Sequence, residues 1–279
     1  MAILTVDNLS KSYPGFTLNH VSFSLEEGKI TGFIGRNGAG KTTTLKSMLN
    51  FVHPDTGTVR YFGKEFAENE REIKERLAFV SGGFREYPAK RLHTISSVTK
   101  RFYPNWDDEA YRKYMKMFAL DEKKTPASLS EGMKVKYALT LALSHHASLL
   151  LLDEPTSGLD PVSRDELMDI FLDLVAREGV TILFSTHIIT DLERSADRIL
   201  YLCQGRLIAD RPVDEWMREY ALVHLDSEPG EALRGHLIGL KKDRTGYEAL
   251  IKAEDKVGLS GAPASLEEIM IHLEREAEV

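Results

Sequence analysis

The sequence predicts an α/β fold around a mostly parallel β-sheet. Short apolar runs without polar alternation recur along the chain, and such runs are typical of strands that are buried on both faces of a parallel sheet. Stretches with helical spacing of apolar residues separate these runs, and strands that alternate with helices indicate an α/β core. A glycine-rich segment also leads from one run directly into a helical stretch. We expect strands over residues 30–34, 77–80, 149–152, 180–184 and 199–203.

Two helices are well marked beside these strands. One follows Gly40, and another is expected over residues 163–177, where apolar residues recur at positions i, i+3, i+4 and i+7. Ser163 and Glu166 have the spacing of a capping box, in which each side chain bonds the backbone N–H of the other residue. We therefore expect this second helix to begin at about Ser163.

Other regions depart from the regular alternation. Residues 1–28 and 199–211 are typical of shorter antiparallel pieces, and Gly205 marks a hairpin turn in the second of them. Residues 107–120 and 133–146 are expected to form helices with little strand between them, which predicts an inserted helical subdomain.

The last part of the chain has a weaker pattern. After Pro212 only the final helix is clear, because Ser265 and Glu268 form a second capping box. We therefore expect one large domain and a small C-terminal appendage without readable chemistry. The predicted boundaries are 1–211 for the domain, with its core sheet in about 1–84 and 147–211 and its helical subdomain in about 85–146, and 212–279 for the appendage.

Composition limits the classes of function. Asp and Glu outnumber Lys and Arg by 43 to 36, so the net charge of −7 argues against an extended nucleic-acid surface. The single cysteine, Cys203, excludes an internal disulfide and fits a reducing compartment. No apolar run approaches the roughly 18–20 residues that cross a bilayer, and the N-terminus lacks the pattern of a signal peptide. We expect a cytoplasmic protein, for which any role at a membrane requires a separate membrane subunit.

A glycine-rich loop at residues 35–42 has the spacing of a phosphate-binding motif, G-x-x-x-x-G-K-[ST]. It follows a predicted strand and opens a helix, so its backbone N–H groups and the helix N-terminus would both face a phosphate. Lys41 would add a positive charge at the β- and γ-phosphates, and the Thr42 hydroxyl would reach Mg²⁺. The residues expected to bind nucleotide here are Gly35, Asn37, Gly38, Ala39, Gly40, Lys41, Thr42 and Thr43.

Two acidic residues directly follow another predicted strand. Asp153 and Glu154 end the run at 149–152, and nucleotide sites in open α/β sheets lie at the carboxyl ends of strands. Asp153 fits a Mg²⁺ ligand that acts through water, and Glu154 would polarise an attacking water molecule. His187 ends the next strand and could bond a γ-phosphate, although its position alone leaves a structural role open.

These motifs, together with three others, resemble those of an ABC-type ATPase subunit over about residues 2–215. Leu129-Ser130-Glu131-Gly132-Met133 stands where the family has its signature, and Ser157-Gly158-Leu159-Asp160 matches its D-loop. The resemblance implies the family's P-loop ATPase fold, with ATP and Mg²⁺ as cofactors. It also implies that His187 is the switch histidine and that Tyr13 stacks on adenine.

The resemblance further implies how two subunits cooperate. Ser130 and Gly132 lie at the start of a predicted helix, whose N-terminus is a second anion site. In the family this site closes over ATP bound to the opposite subunit, and we count Asp160 of the D-loop among the nucleotide-binding residues. Two ATP molecules would thus be held in a head-to-tail dimer of identical chains or of related ATPase subunits.

Two departures from the family pattern stand out. Glu131 and Met133 replace the usual first glycine and the glutamine of the signature. The family's Q-loop glutamine should fall near Gly82, where none stands, and that residue usually senses Mg²⁺ and the attacking water. Ser81 or a water molecule is a candidate substitute. These departures put the rate and coupling of hydrolysis in question more than ATP binding.

A finer resemblance points to export. Residues 102–107, 129–134 and 263–269 are similar to those of bacterial ABC-2-type and antibiotic-resistance exporters. This implies an ATP-hydrolysing subunit that lies on the inner face of the cell membrane, powers a separate polytopic membrane subunit and binds no nucleic acid. The alternative is a soluble ABC-type ATPase with a mechanical or regulatory role. A single cassette without heptads argues against the mechanical role, and Glu154 with His187 against the regulatory one.

Overall fold

The computed structural model describes residues 2–82, 84, 86–242, 244–256 and 259–277. The chain divides into two compact units, Met1–Asp210 and Arg211–Val279. The strands of the first unit, the last of which continues to residue 212, are β1 (Ala2–Tyr13), β2 (Phe16–Glu26), β3 (Ile30–Ile34), β4 (Thr56–Tyr61), β5 (Lys64–Glu65), β6 (Leu77–Ser81), β7 (Leu149–Asp153), β8 (Thr181–Thr186), β9 (Arg198–Cys203) and β10 (Arg206–Pro212). Its helices are α1 (Lys41–Met48), α2 (Phe66–Lys74), α3 (Leu92–Thr99), α4 (Asp108–Met117), α5 (Glu131–Ser144), α6 (Pro161–Glu178) and α7 (Ile189–Ser195).

Six strands form the central sheet, in the order β10-β9-β3-β8-β7-β6. Five of them, β3 and β6 to β9, pair in parallel, and every residue of β3, β7 and β8 is buried. Because these strands are covered on both faces, their sequences show no polar alternation. The five predicted strands are confirmed, and β6 to β8 extend one or two residues further toward the carboxyl edge than expected.

A four-stranded antiparallel sheet, in the order β2-β1-β4-β5, shares an apolar core with the central sheet and α1. The antiparallel pairing expected for residues 1–28 is confirmed, but β1 and β2 are 12 and 11 residues long rather than short. For residues 199–211 the expected antiparallel arrangement is wrong for β9, which lies parallel to β3. Only β10 turns back, after Gln204 and Gly205, whose positive φ angles of 46° and 76° suit a two-residue hairpin.

Helix α6 begins two residues before the predicted start and has a different cap. Asp160 is its N-cap, and its carboxylate accepts bonds from the backbone N–H groups of the second and third helical residues at 3.0 and 3.1 Å. Pro161 follows at the first helical position, where its fixed φ favours the helix and its missing N–H is not needed. The predicted capping box of Ser163 and Glu166 is therefore wrong, and Glu166 instead pairs with Lys136 of α5 at 2.9 Å.

The segment between β6 and β7 carries α3, α4 and α5, and its described residues contain no strand. Asp107 caps α4. Helix α5 starts two residues earlier than expected, because the Ser130 hydroxyl accepts a bond from the Met133 N–H at 3.3 Å and so caps the helix. One buried network joins all three helices, with the Ser96 hydroxyl 2.9 Å from those of both Tyr111 and Tyr137.

The second unit is built on an antiparallel sheet with a helix at the end of its chain. The sheet has the order β12-β13-β11-β14, from β11 (Tyr220–Leu225), β12 (Leu237–Lys242), β13 (Tyr247–Lys252) and β14 (Gly261–Pro263). The helices are α8 (Val213–Arg218), α9 (Glu231–Arg234) and α10 (Leu266–Ala277). The predicted box at α10 is confirmed: the Glu268 N–H donates to the Ser265 hydroxyl, and the Ser265 N–H to the Glu268 carboxylate, at 3.2 and 2.7 Å. Within the described ranges, no helix has both the length and the apolar character needed to span a bilayer.

Candidate nucleotide site

The loop between β3 and α1 curls tightly because two of its glycines adopt conformations that other residues avoid. Gly35 has a φ of +153°, and a Cβ there would lie 2.2 Å from the carbonyl oxygen of Leu202. Gly40 has a φ of +109°, and a Cβ there would lie 2.6 Å from the ring of Phe16. Only glycine fits at either position. The loop thereby places its backbone beside the start of α1, where the first helical N–H groups have no partner in the helix and create a positive potential.

Lys41, the first residue of α1, is buried, and its ammonium group bends back over the loop. Its Nζ atom donates to the Gly35 carbonyl at 2.7 Å and lies 3.5 Å from a carboxylate oxygen of Glu154. A buried cation requires such partners. The loop therefore holds a positive charge at its centre, where an anionic group would find both the ammonium and the helix N-terminus.

Three polar side chains meet at the carboxyl edge of β7 and β8. The Thr42 hydroxyl lies 3.1 and 3.0 Å from the two carboxylate oxygens of Asp153. Ser185, the register partner of Asp153 in β8, donates its hydroxyl to the same carboxylate at 2.7 Å. A hydroxyl and a carboxylate so close together form a hard-oxygen donor pair, which is the kind of ligand that Mg²⁺ prefers. The predicted pair of Thr42 and Asp153 therefore fits the ion.

Glu154 follows β7 with an unusual backbone, since its φ is +53°. Non-glycine residues rarely adopt this conformation, and it often marks functional sites. Two bonds from its backbone N–H hold the residue there, to the Ser185 carbonyl at 3.1 Å and the Ser185 hydroxyl at 3.0 Å. As a result, its carboxylate lies between Lys41 and His187 rather than continuing the direction of the strand.

His187 completes this group at the end of β8. Its Nδ1 atom lies 2.8 Å from a Glu154 carboxylate oxygen, and because a carboxylate only accepts, Nδ1 is the donor. A protonated ring can also donate from Nε2, so the pair can present an N–H to an anion in the cleft. The structure thus brings together Lys41, Thr42, Asp153, Glu154 and His187, which the sequence places in three separate segments.

A cleft of about 350 Å³ lies over the loop. It contains most of the predicted loop residues together with three residues that were not among the predicted site residues, Phe16, Arg36 and Ser157. Phe16 could have been found, because it is the direct cross-strand partner of Tyr13 across a two-residue turn. The residues that line the cleft are Phe16, Arg36, Asn37, Gly38, Gly40, Lys41, Thr42, Thr43, Glu154, Ser157 and His187.

Seven predicted residues are absent from the lining of this cleft. Three of them, Gly35, Ala39 and Asp153, belong to the loop and to the end of β7 already described, and the other four lie in separate segments. Tyr13 stands at the end of β1 and is 41% exposed. Ser130 caps α5, and Gly132 lies in the first turn of that helix beside Leu159 of the D-loop, which is 3.8 Å from the position of a Gly132 Cβ. Asp160 caps α6 and accepts the Ser163 hydroxyl at 2.6 Å. This bond and the N–H bonds of the cap lower the pKa of Asp160, so its carboxylate is committed to its own helix.

The position where the family has a glutamine is held close to the site by its backbone. Gly82 donates its N–H to the Asp153 carbonyl at 2.8 Å and has a φ of +58°. Ser81, the register partner of Asp153 in β6, immediately precedes it. Gly83, the next residue of the predicted loop, lies outside the described residues. The left-handed backbone gives a physical reason for glycine at residue 82, since any side chain there would be strained.

Comparisons with known proteins agree with this geometry. The profile of the ABC transporter family matches residues 18–157. The ABC transporter ATP-binding protein YtrB of Bacillus subtilis (strain 168) is 30% identical over 259 residues, which cover 91% of this chain and 88% of that protein. The Nod factor export ATP-binding protein I of Burkholderia orbicola (strain AU 1054) is 35% identical over 219 residues, or 75% and 71% of the two chains.

A solved ATP-binding subunit of an ABC transporter has the same fold, with a TM-score of 0.69 and 28% identity over 77% of this chain and 92% of that one. The fold and the family inferred from the motifs are thus confirmed. The chain belongs to the ABC transporter family and is one of its ATP-binding, ATP-hydrolysing subunits.

Proposed function

We propose that the cleft binds ATP with Mg²⁺, that Glu154 activates the attacking water, and that hydrolysis drives export through a separate membrane subunit. One observation carries this proposal: Lys41, Thr42, Asp153, Glu154 and His187 converge at one carboxyl edge of the sheet, where Thr42 bonds Asp153 and Glu154 contacts both Lys41 and His187. This is the set of charges that phosphoryl transfer from a nucleotide needs.

Thr42 and Asp153 are the residues that would hold Mg²⁺. When bound, the ion would neutralise charge on the β- and γ-phosphates. Ser185 fixes the orientation of the Asp153 carboxylate through its 2.7 Å bond, so the ligand is positioned before the ion arrives.

Lys41 and Glu154 change partners when nucleotide binds. The Lys41 ammonium group leaves the Gly35 carbonyl for the phosphate oxygens, which frees the Glu154 carboxylate from its 3.5 Å contact with that charge. Glu154 then accepts a hydrogen bond from the water that attacks the γ-phosphate. His187 offers a ring N–H to the γ-phosphate. At the other end of the nucleotide, Tyr13 and its cross-strand partner Phe16 form the aromatic surface for adenine.

We also propose that the chain acts as a head-to-tail pair with an identical or related subunit. Ser130 caps a helix of 14 residues, whose N-terminus suits an anion. Ser130, Gly132 and Asp160 are absent from the lining of the chain's own cleft, which fits contacts with ATP held by the partner. Residues 1–211 would form this cassette and 212–279 an appendage. The whole assembly would lie on the cytoplasmic face of the membrane.

Export through a polytopic subunit can be tested by purifying the tagged chain from detergent-solubilised native membranes. We expect a polytopic membrane protein to co-purify, and inside-out vesicles that contain both proteins to accumulate substrate in their lumen when ATP is added. An untagged chain is the control. Recovery of ribosomes or other soluble material alone would instead favour the soluble mechanical ATPase.

Introducing a glutamine at Gly82 tests whether this loop takes part in hydrolysis. Gly82→Gln is expected to reduce the free energy of unfolding by about 1–2 kcal/mol, because residue 82 has a left-handed backbone. It is also expected to change the Mg²⁺ concentration needed for half-maximal hydrolysis, because Gly82 is bonded to the backbone of Asp153, one of the two residues that would hold the ion. Gly82→Ala is the matched control, since it adds the same strain without the amide. An identical Mg²⁺ dependence in both variants would show that a glutamine at residue 82 does not reach the ion.

A further inference from the structure

Three buried polar atoms outside the cleft have no hydrogen-bond partner, although donors and acceptors stand among them. They are Oγ1 of Thr156, Nε of Arg164 and Oδ2 of Asp191, and they make up three of the four such side-chain atoms in the described part of the chain. Thr156 is fully buried and Asp191 is 6% exposed. An unmet buried polar atom is destabilising by about 1–3 kcal/mol, so a group of three is unusual.

These atoms belong to three segments that each carry a residue of the proposed site. Thr156 lies two residues after Glu154, Arg164 lies in the first turn of α6 after Asp160, and Asp191 lies in α7, four residues after His187. The Asp191 carboxyl acts as the centre of the group. Burial raises its pKa, while the Thr156 hydroxyl and the nearby Arg164 and His187 oppose that shift.

Other contacts already hold α6 and α7 together. Arg194 of α7 pairs with Asp165 and with Asp169 of α6, the latter at 2.7 Å. The Ser195 hydroxyl lies 3.3 Å from the sulfur of Met168. Asp165 and Asp169 have side chains 55% and 61% exposed. These contacts on the surface already join α6 to α7, so the buried Asp191 group is not needed to hold the two helices together.

We propose that Asp191 is a positioning residue for ATP hydrolysis: with Arg164 and Thr156 it links the segment of His187 to the segments of Glu154 and the D-loop. The hydroxyl, the guanidinium N–H and the carboxylate oxygen are complementary, so a small movement of α7 against α6 joins them. The same movement carries His187, which α7 follows after one residue. This inference rests on the proposed roles of Glu154 and His187.

The test is the split between nucleotide affinity and turnover in Asp191→Asn, which keeps the size of the side chain and removes its charge. We expect the Kd for a fluorescent ATP analogue to stay within about twofold of wild type, and kcat to fall about tenfold. Asp191→Glu should recover part of kcat. Asp169→Asn is the matched control, because it removes an acid from the same helix pair outside the buried group, and it should leave kcat within about twofold.

A double-mutant cycle of Asp191→Asn and Arg164→Gln shows whether the two residues act together on turnover or only destabilise the fold separately. If the residues act as one unit, the double variant loses little more kcat than either single variant. Wild-type kcat in Asp191→Asn, an equal loss in Asp169→Asn, or additive losses in the cycle would overturn the proposal. If Asp191→Asn does not fold, Thr156→Val, which keeps the shape and removes the hydroxyl, gives the same comparison. Failure of the proposed function is distinguishable, since Glu154→Gln would then also keep full turnover.

Discussion

Replacing Glu154 with glutamine is expected to reduce steady-state ATP hydrolysis by about 100-fold or more, the scale of general-base catalysis. The amide cannot take the proton of the attacking water. ATP binding should remain, because Lys41, Thr42 and Asp153 are unchanged and the amide oxygen can still accept the bond from His187, which spans 2.8 Å in the native chain. Phosphate release at saturating ATP measures the loss, and titration with a fluorescent analogue measures the affinity.

A matched control comes from the same part of the chain. Glu166 also lies near the site in sequence, but its side chain is 56% exposed and pairs only on the surface with Lys136. Glu166→Gln should therefore hydrolyse ATP at the wild-type rate. Equal rates for wild type and Glu154→Gln would refute the role given to Glu154.

Replacing Lys41 with alanine is expected to weaken ATP binding by about 10- to 100-fold, because a hydrogen bond to a charged group contributes about 1.5–3 kcal/mol. Lys41 is 6% exposed and is the cation bonded to the loop itself, at 2.7 Å from the Gly35 carbonyl. Isothermal titration with ATP and Mg²⁺ measures the affinity directly.

Lys46 provides the comparison for this variant. It lies in the same helix, one turn further along, and is absent from the residues that line the cleft. Lys46→Ala should bind ATP as wild type does. An unchanged affinity in Lys41→Ala would contradict the assignment of the loop to phosphate binding.

The central strands could be predicted because strands that are buried on both faces have uninterrupted apolar sequences. The start of α6 could not be predicted, because Asp160 and Ser163 both have side chains that can cap a helix. Asp160 is the cap in the structure, with Pro161 at the first helical position. The parallel direction of β9 could not be predicted either, because it depends on pairing with β3, which lies far away in the sequence. The strands of the second unit were missed for a similar reason. Their runs are short, and pairing between distant segments decides them.

The site residues could likewise be predicted where the signal is local in sequence, and not where it depends on pairing between distant segments. Two short motifs revealed these residues: Lys41 and Thr42 stand where the glycine-rich loop enters a helix, and Asp153 and Glu154 directly follow an apolar run. Ser185 became visible only through the pairing of β7 with β8. The left-handed backbone of Glu154 has no local signature, since tertiary contacts impose it.

The central claim, that two chains close over two ATP molecules and hydrolyse them, is tested most directly by the mass of Glu154→Gln in solution. Size-exclusion chromatography with light scattering should be run with Mg²⁺ and saturating ATP, and again with ADP. We predict twice the mass of one chain with ATP, with one retained nucleotide per chain, and a single-chain mass with ADP. A single-chain mass with ATP bound would contradict the claim.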